Sequence, residues 1–417
     1  LDFVNCSVEP SSDWTSTVAA SMPNAEMKIV KTNLSNKDVS SQSELGKSID
    51  FIRYTRRVLP DAEIYYLFNE GETDSQFTAS FDKVGLVKEW NATTGEIKEI
   101  PYEVKNNKVF LSFKMKAWDS RIIIIQQQTK EYNITSFGAV GDGKTINTEA
   151  IQKTIDYAHQ NGGGSVVIPK GEYLSGALFF RPGVDLQLKK KAVLKSTVRS
   201  EDFPIISTRF EGIERNWRCA FLNFDQCNGV KVYGDGIIDG QGVEWKSIPF
   251  GETGRPRMFC FTECNNGSIT GLNLRNQASW GVHVLYTDGF SISDLNISAE
   301  HTIPSSDGLD IDSSSDIDIY RVYIDVNDDC ISIKSGKDSD GRRVNRPSEN
   351  IRIEDCHFAY GHGGVAMGSE ISGGVRNVTI RNCRMDADNW GPIRFKSQPS
   401  RGGLIENITF ENITLHN

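Results

Sequence analysis

The chain has 417 residues, 38% hydrophobic and 24% charged, the composition of a globular protein with a real core rather than of a disordered one. Its 55 acidic and 46 basic side chains give a formal charge of −9, which argues against a nucleic-acid binder working by bulk electrostatics but leaves room for an acidic ligand held by local basic clusters. No apolar run approaches the roughly 18–20 residues of a membrane span. Eight cysteines over this length do not make a disulfide framework, and no CxxC or Cys/His spacing reads as zinc.

The sequence opens on Leu1 with no signal peptide, which reads as a mature or excised chain. Residues 1–40, rich in Ser, Asn and Thr, are expected to be a linker or the tail of an upstream domain. Residues 41–128 carry short alternating runs, Glu63–Phe68, Gln76–Phe81, Val109–Phe113 and Arg121–Ile125, with turn chemistry at Thr93–Glu96 and Asn106–Asn107. Strands without an intervening helix predict a small antiparallel β-sandwich. This module resembles the β-sandwich modules attached to bacterial glycoside hydrolases such as rhamnosidases. Its Tyr65, Trp90 and Trp118 are candidates either for a sugar face or for the core.

Residues 129–417 open on Phe137-Gly-Ala-Val-Gly-Asp-Gly143, followed by a predicted helix. Asn147 is its expected cap, Ile151, Ile155 and Ala158 its apolar face, and Gly162–Gly164 its end. One amphipathic helix ahead of a long β region suits a plug over the open end of a solenoid. The apolar anchors Val232, Ile269, Ile292, Ile319, Ile353, Ile380 and Phe410 then recur at intervals of 37, 23, 27, 34, 27 and 30 residues. A steady strand motif with irregular spacing predicts a right-handed parallel β-helix, because loops vary while stacked strands cannot. The longest interval holds 243–257, an expected loop over the cleft. Cys356 and Cys383 fall at equivalent places in neighbouring coils and read as an interior stack of small apolar side chains. The strand pattern still runs at Asn417, so the domain is expected to be cut short there.

Four segments share one frame: Asp307–Asp312, Asp329–Lys334, Gly363–Gly368 and Gly391–Lys396, starting 22, 34 and 28 residues apart. The apolar pairs Leu309/Ile311, Ile331/Ile333, Val365/Met367 and Ile393/Phe395 face the interior. The other face carries Asp310, Ser332, Ala366 and Arg394, then Asp312, Lys334, Gly368 and Lys396, in columns at roughly 4.8 Å spacing. Asp307 and Asp329 share a column position, with Asp328 beside them, and His362 follows one coil on. Crowded carboxylates raise at least one pKa and so keep a proton available for an acid. Arg394 and Lys396, at i and i+2, can clamp a carboxylate. Taken singly, an Asp-Asp turn also reads as a solvated ladder or a calcium site, and a lone histidine as structural.

These residues resemble glycoside hydrolase family 28, the polygalacturonase-like enzymes. The family's Asn-Thr-Asp, Asp-Asp, Gly-His-Gly and Arg-Ile-Lys blocks stand here as Ser305-Ser306-Asp307, Asp328-Asp329, Gly361-His362-Gly363 and Arg394-Phe395-Lys396, in the same order. Gly236–Gly242 also matches, so the likeness covers roughly 134–417. Ser305-Ser306 departs from Asn-Thr, and Phe395 stands where the family has an Ile facing the core. The resemblance implies an inverting hydrolase of α-linked galacturonate in pectin, without metal or other cofactor, secreted or periplasmic in a bacterium, and binding neither nucleic acid nor membrane. It implies Asp328 as general acid and Asp307 and Asp329 as holders of the attacking water, with acid and base about 6.5–9.5 Å apart. His362 is expected to tune the acid, and Arg394, Lys396, Asp310, His283 and Arg343 to contact substrate. Long loops after Trp245 and Lys337 suggest exo action by closing one end of the cleft. The alternatives are a rhamnogalacturonan or xylogalacturonan hydrolase, a calcium-dependent pectate lyase with an arginine base, and a non-catalytic polysaccharide-binding β-helix.

Overall fold

In a computed structural model of the chain, residues 51–59, 62–106, 108–126, 129–247, 253–386 and 391–416 are described; the expected linker at 1–40 lies outside them. Contacts divide the chain into two units, Leu1–Thr129 and Lys130–Asn417.

In the first unit the alternation seen in the sequence is realised literally. Ser75–Phe81 is buried at every second residue and pairs antiparallel with Lys108–Met115, placing Phe77 opposite Phe113 and Ala79 opposite Leu111. These two strands and Glu103–Lys105 form one sheet. Ile52–Val58, Ala62–Asn69, Ser120–Gln126, Leu86–Trp90 and Ile97–Glu99, in that spatial order, form a second. Tyr65, Leu67, Val87, Ile123 and Ile125 from the five-stranded sheet share one core with Phe77, Leu111 and Phe113. Tyr65 is therefore a core residue, its hydroxyl donating to Glu63 Oε2 at 2.6 Å, whereas Trp118 is 61% exposed.

The second unit opens with a helix at Thr148–Gln160 that buries Ile151, Thr154, Ile155 and Ala158. Asn147 precedes it, but its side chain does not cap it. Its Oδ1 accepts from Val140 N at 2.6 Å and its Nδ2 donates to Thr145 O at 2.7 Å, so it stitches down the preceding loop instead. The helix covers the first coil, and its apolar residues join the core that runs the length of the solenoid.

Beyond it lie three parallel sheets, two of ten strands and one of eight, wound as a right-handed β-helix. One ten-stranded ladder aligns Val232, Ile269, Ile292, Ile319, Ile353, Ile380 and Phe410 in unbroken register, the anchors expected from the sequence. The ladder continues back through Leu186 to Val166. Stacked β-branched and aromatic side chains fill most of the interior, the buried Thr287, Ser314 and Ser348 accept hydrogen bonds from backbone N–H groups, and backbone bonding between coils pairs every strand but those at the sheet ends on both sides. Cys356 and Cys383 are buried free thiols in adjacent coils.

Candidate active site

The eight-stranded sheet carries the polar wall. Its ladder aligns Asn223, Cys260, His283, Asp310, Ser332, Ala366 and Arg394 in one column. In the next column Asp312 faces Lys334, and Gly368 faces Lys396. The inward partners Leu309, Ile311, Ile331, Ile333, Val365 and Met367 are fully buried. Phe395 departs from this pattern. It is 55% exposed, because Ile393–Lys396 is the last strand of its sheet and has a stacked neighbour on one side only.

Gly308 N donates to Asp329 O at 3.0 Å, which sets Asp307 alongside Asp329 one coil away, and Asp328 precedes Asp329 in the chain. One oxygen of each of the three carboxylates lies within 4.8 Å of one oxygen of both others. These are nearest-oxygen distances rather than the carboxyl-to-carboxyl separation of an inverting pair, and they bring the three groups to one point. The reason is geometric: neighbouring rungs are fixed by backbone hydrogen bonds at about 4.8 Å. The loop below is pinned to match. Gln277 Nε2 donates to the carbonyls of Ser306 and Asp307, each at 3.0 Å, and Ser306 Oγ donates to Ile303 O at 2.8 Å while accepting from Asn327 N at 3.2 Å. Ser306 thus orders the turn that presents Asp307.

Three groups with basic atoms close on the cluster. Lys396 Nζ pairs directly with Asp329 Oδ2, Arg394 Nη1 lies 3.7 Å from Asp329 Oδ1, and His362 Nδ1 lies 3.3 Å from Asp328 Oδ1. Asp329 and Asp307 are buried, whereas the Asp328 side chain is 25% exposed and is the member of the cluster open to an arriving ligand. Burial, reinforced by the charge of Asp328, raises the Asp307 carboxyl well above the ordinary carboxylate range. The crowding of like charges thus adds to burial, and the carboxyl it raises is that of Asp307.

The other expected contacts go elsewhere. Asp310 and His283 are fully buried and do not reach the surface. His283 Nδ1 lies 2.6 Å from Arg257 Nη1, and its Nε2 lies 3.5 Å from Asp312 Oδ2. Trp280, buried beside His283, stacks on Phe210, which stacks on Trp217. Arg343 pairs with Glu214 and with Asp340 at 2.7 Å.

The cover over these residues is an antiparallel hairpin, Ile205–Phe210 with Ile213–Arg218, that the sequence reading did not find. Glu211 and Gly212 both have positive φ, 49° and 73°, as a two-residue primed turn demands. The hairpin lies along the ends of the wall strands. Arg209 is buried with Nη1 2.8 Å from Ser313 Oγ and 3.3 Å from Asp312 Oδ1, and Gly212 O accepts from Lys337 N at 2.9 Å. Glu214 accepts from Tyr286 Oη at 2.8 Å, so Arg343 and Tyr286 together hold the hairpin tip. The loop expected over the cleft at 243–257 includes 248–252, outside the described residues; Arg255 and Arg257 from it are buried.

A right-handed parallel β-helix whose one wall stacks three carboxylates against an arginine and a lysine defines a class of solenoid proteins with a coil-built polar cleft. The family model for glycosyl hydrolases family 28 matches residues 165–417, and the chain belongs to that family. A probable polygalacturonase of Vitis vinifera is 29% identical over 68% of this chain and 60% of its own length. An endo-polygalacturonase of Pectobacterium parmentieri is 28% identical over 73% of this chain and 77% of its own. Among solved structures, a hyperthermoactive exopolygalacturonase from Thermotoga maritima is 29% identical with a TM-score of 0.62, over 69% of this chain and 76% of that one. The chain spans 60% of the grape relative, and 58% and 55% of two further curated relatives.

Proposed function

We propose that this chain hydrolyses α-linked galacturonate bonds in pectin with inversion. The observation that carries the proposal is the single cluster of Asp307, Asp328 and Asp329, with His362 on one member and Lys396 and Arg394 on another. Asp328, at the open edge, protonates the leaving oxygen, and His362 orients and tunes it. Asp307 and Asp329 grip the attacking water from neighbouring rungs. Arg394 and Lys396 offset the charge of Asp329 and offer donors to a sugar carboxylate, Arg394 by its planar fork. The substrate is thus an acidic plant cell-wall polysaccharide, and the enzyme works where that polymer is met, secreted or in the periplasm. Among the described residues no helix is long and apolar enough to cross a membrane.

Exo action is our reading of the cleft. The hairpin Ile205–Arg218 packs against the wall at Trp280, Asp312 and Ser313, and its tip is held by the helix Asp338–Val344 that follows Lys337. A chain end fits such a cleft better than a chain interior. The similar proteins carry both modes in their names, so products decide the point.

The test is digestion of defined galacturonate oligomers, following products by chromatography and the first-formed anomer by proton NMR. Saturated products with β configuration, released one or two units at a time, are expected. An unsaturated product absorbing in the near ultraviolet and lost on chelation would replace hydrolysis by elimination, and an α anomer would remove inversion.

A further inference from the structure

Behind the carboxylate cluster the wall buries a second set of charges. Lys334 ends the strand Asp329–Lys334 opposite Asp312, so its side chain leaves the sheet on the polar face. That side chain is 5% exposed. Its Nζ lies 3.0 Å from Glu370 Oε2, 3.7 Å from Asp310 Oδ1 and 4.8 Å from the centroid of the Trp280 ring. Glu370, two residues beyond the strand Gly363–Gly368, is itself buried and accepts from Ser369 Oγ at 3.3 Å. Both carboxylate oxygens of Asp310 are buried and receive no hydrogen bond from the described residues. An ammonium in such a place acts over several ångströms, because little water screens it.

The groups in its reach are the ones the chemistry needs. Asp307 is faced by Asp328, Asp329, Asp310 and Lys334. Asp310 is faced by Lys334, His283, Asp329 and Glu370. The cover hairpin contributes Arg209, spent on Asp312, and the last strand contributes Lys396 and Arg394, spent on Asp329.

We propose that Glu370 is a positioning residue for the reaction: it fixes the Lys334 ammonium beside Asp310, and this pair decides which carboxyls of the wall hold a proton at working pH. The inference rests on the hydrolase reading, since it needs Asp307 within the reacting cluster. The electrostatics around Asp310 agree with it. Burial raises that carboxyl to about 7 while Lys334 and His283 pull it back, and Glu370, which burial alone would raise, is held at about 2 by the charge and hydrogen bond of Lys334 together with a backbone N–H and Lys396.

The two partners act with opposite sign. In Glu370→Gln the Lys334 charge is no longer balanced, so Asp307 and Asp310 ionise more easily. The limb of the pH–rate profile that reports them moves toward acid, by about half a pH unit or more. In Lys334→Met the ammonium is gone and Glu370 remains, so the same limb moves toward alkali. The double variant Lys334→Met/Glu370→Gln, which leaves no unpaired buried charge, loses the cation nearer to Asp310. Its limb moves toward alkali by less than in Lys334→Met alone.

The experiment is kcat/KM on polygalacturonate against pH for the full chain and the three variants, each first shown folded by circular dichroism, with Asp328→Asn as control. Opposite displacements in the single variants, or an alkaline displacement from wild type in the double variant if a single one fails to fold, support the proposal. Reduced kcat/KM with both limbs at their wild-type positions overturns it. If wild type cleaves no galacturonan at any pH, the hydrolase reading itself has failed, an outcome distinct from unmoved limbs in an active enzyme.

Discussion

Asp328 and Asp310 are two carboxyls of one wall in opposite circumstances, and substitution to asparagine separates them. Asp328 is partly open, and His362 is its near neighbour. Asp328→Asn removes the proposed proton donor while keeping the shape, and turnover of galacturonate oligomers is expected to fall by about 10²–10⁴-fold with binding retained. Intact turnover would take the acid role away from Asp328. Asp310 is buried, and burial raises it to about 7, above the unfolded value near 4. A carboxyl raised on folding binds its proton more tightly in the native state. Its contribution to stability is therefore present below about pH 4 and lost as pH rises through about 7. Asp310→Asn removes that loss, so the melting temperature of the variant relative to wild type is expected to climb between pH 4 and pH 7 in calorimetry. A constant difference across that window would contradict the burial argument. The sequence placed Asp310 on the outward face correctly but could not show that Lys334, His283 and Glu370 crowd around it, nor that a remote segment packs beside them on Asp312 and Trp280.

That segment is the hairpin Ile205–Arg218, and why it escaped notice is physical. Its strands follow the alternating pattern only weakly, with Arg209 as its buried charge, and it owes its place to contacts made more than seventy residues away, at Tyr286, Ser313 and Lys337. The local clue was Glu211-Gly212 between two short runs. A side chain at Gly212 meets the structure head on: a Cβ would come 2.7 Å from Lys337 N and 2.8 Å from Glu370 Cβ, on a backbone with φ of +73°. Gly212→Ala is expected to lift the tip from the wall. On long polygalacturonate, viscosity should then drop faster per reducing end released, the mark of internal cutting. An unchanged ratio with the hairpin displaced would detach the mode of attack from this element. The same cover explains Arg343, whose place in a basic cluster suggested a ligand contact but which serves the hairpin tip through Glu214.

Across the whole molecule the solenoid was the most legible feature, because its information is local and repeated. Each rung announces itself by an apolar pair two residues apart, and the ladder from Val232 to Phe410 needed nothing else. The opening helix was equally readable, though the role of Asn147 was not, since the loop it stitches has no pattern of its own. Stability in such a stack is close to a sum over neighbours, so its first coil depends on the helix that covers it. Ile155 is fully buried there, and Ile155→Ala is expected to destabilise the second unit by roughly 2–5 kcal/mol in urea titration. A change below 1 kcal/mol would mean the helix is not part of the cooperative fold. The rung-to-rung hydrogen bonding has one more consequence. Between Asp312 and Asp329 the chain makes a whole circuit, and between Lys334 and Gly363 a longer one with a helix in it, yet both circuits return to the same lateral offset. Detours of any length can be spliced into these circuits to reshape the rim of the cleft, while the spacing of the stacked carboxylates stays where the peptide backbone put it.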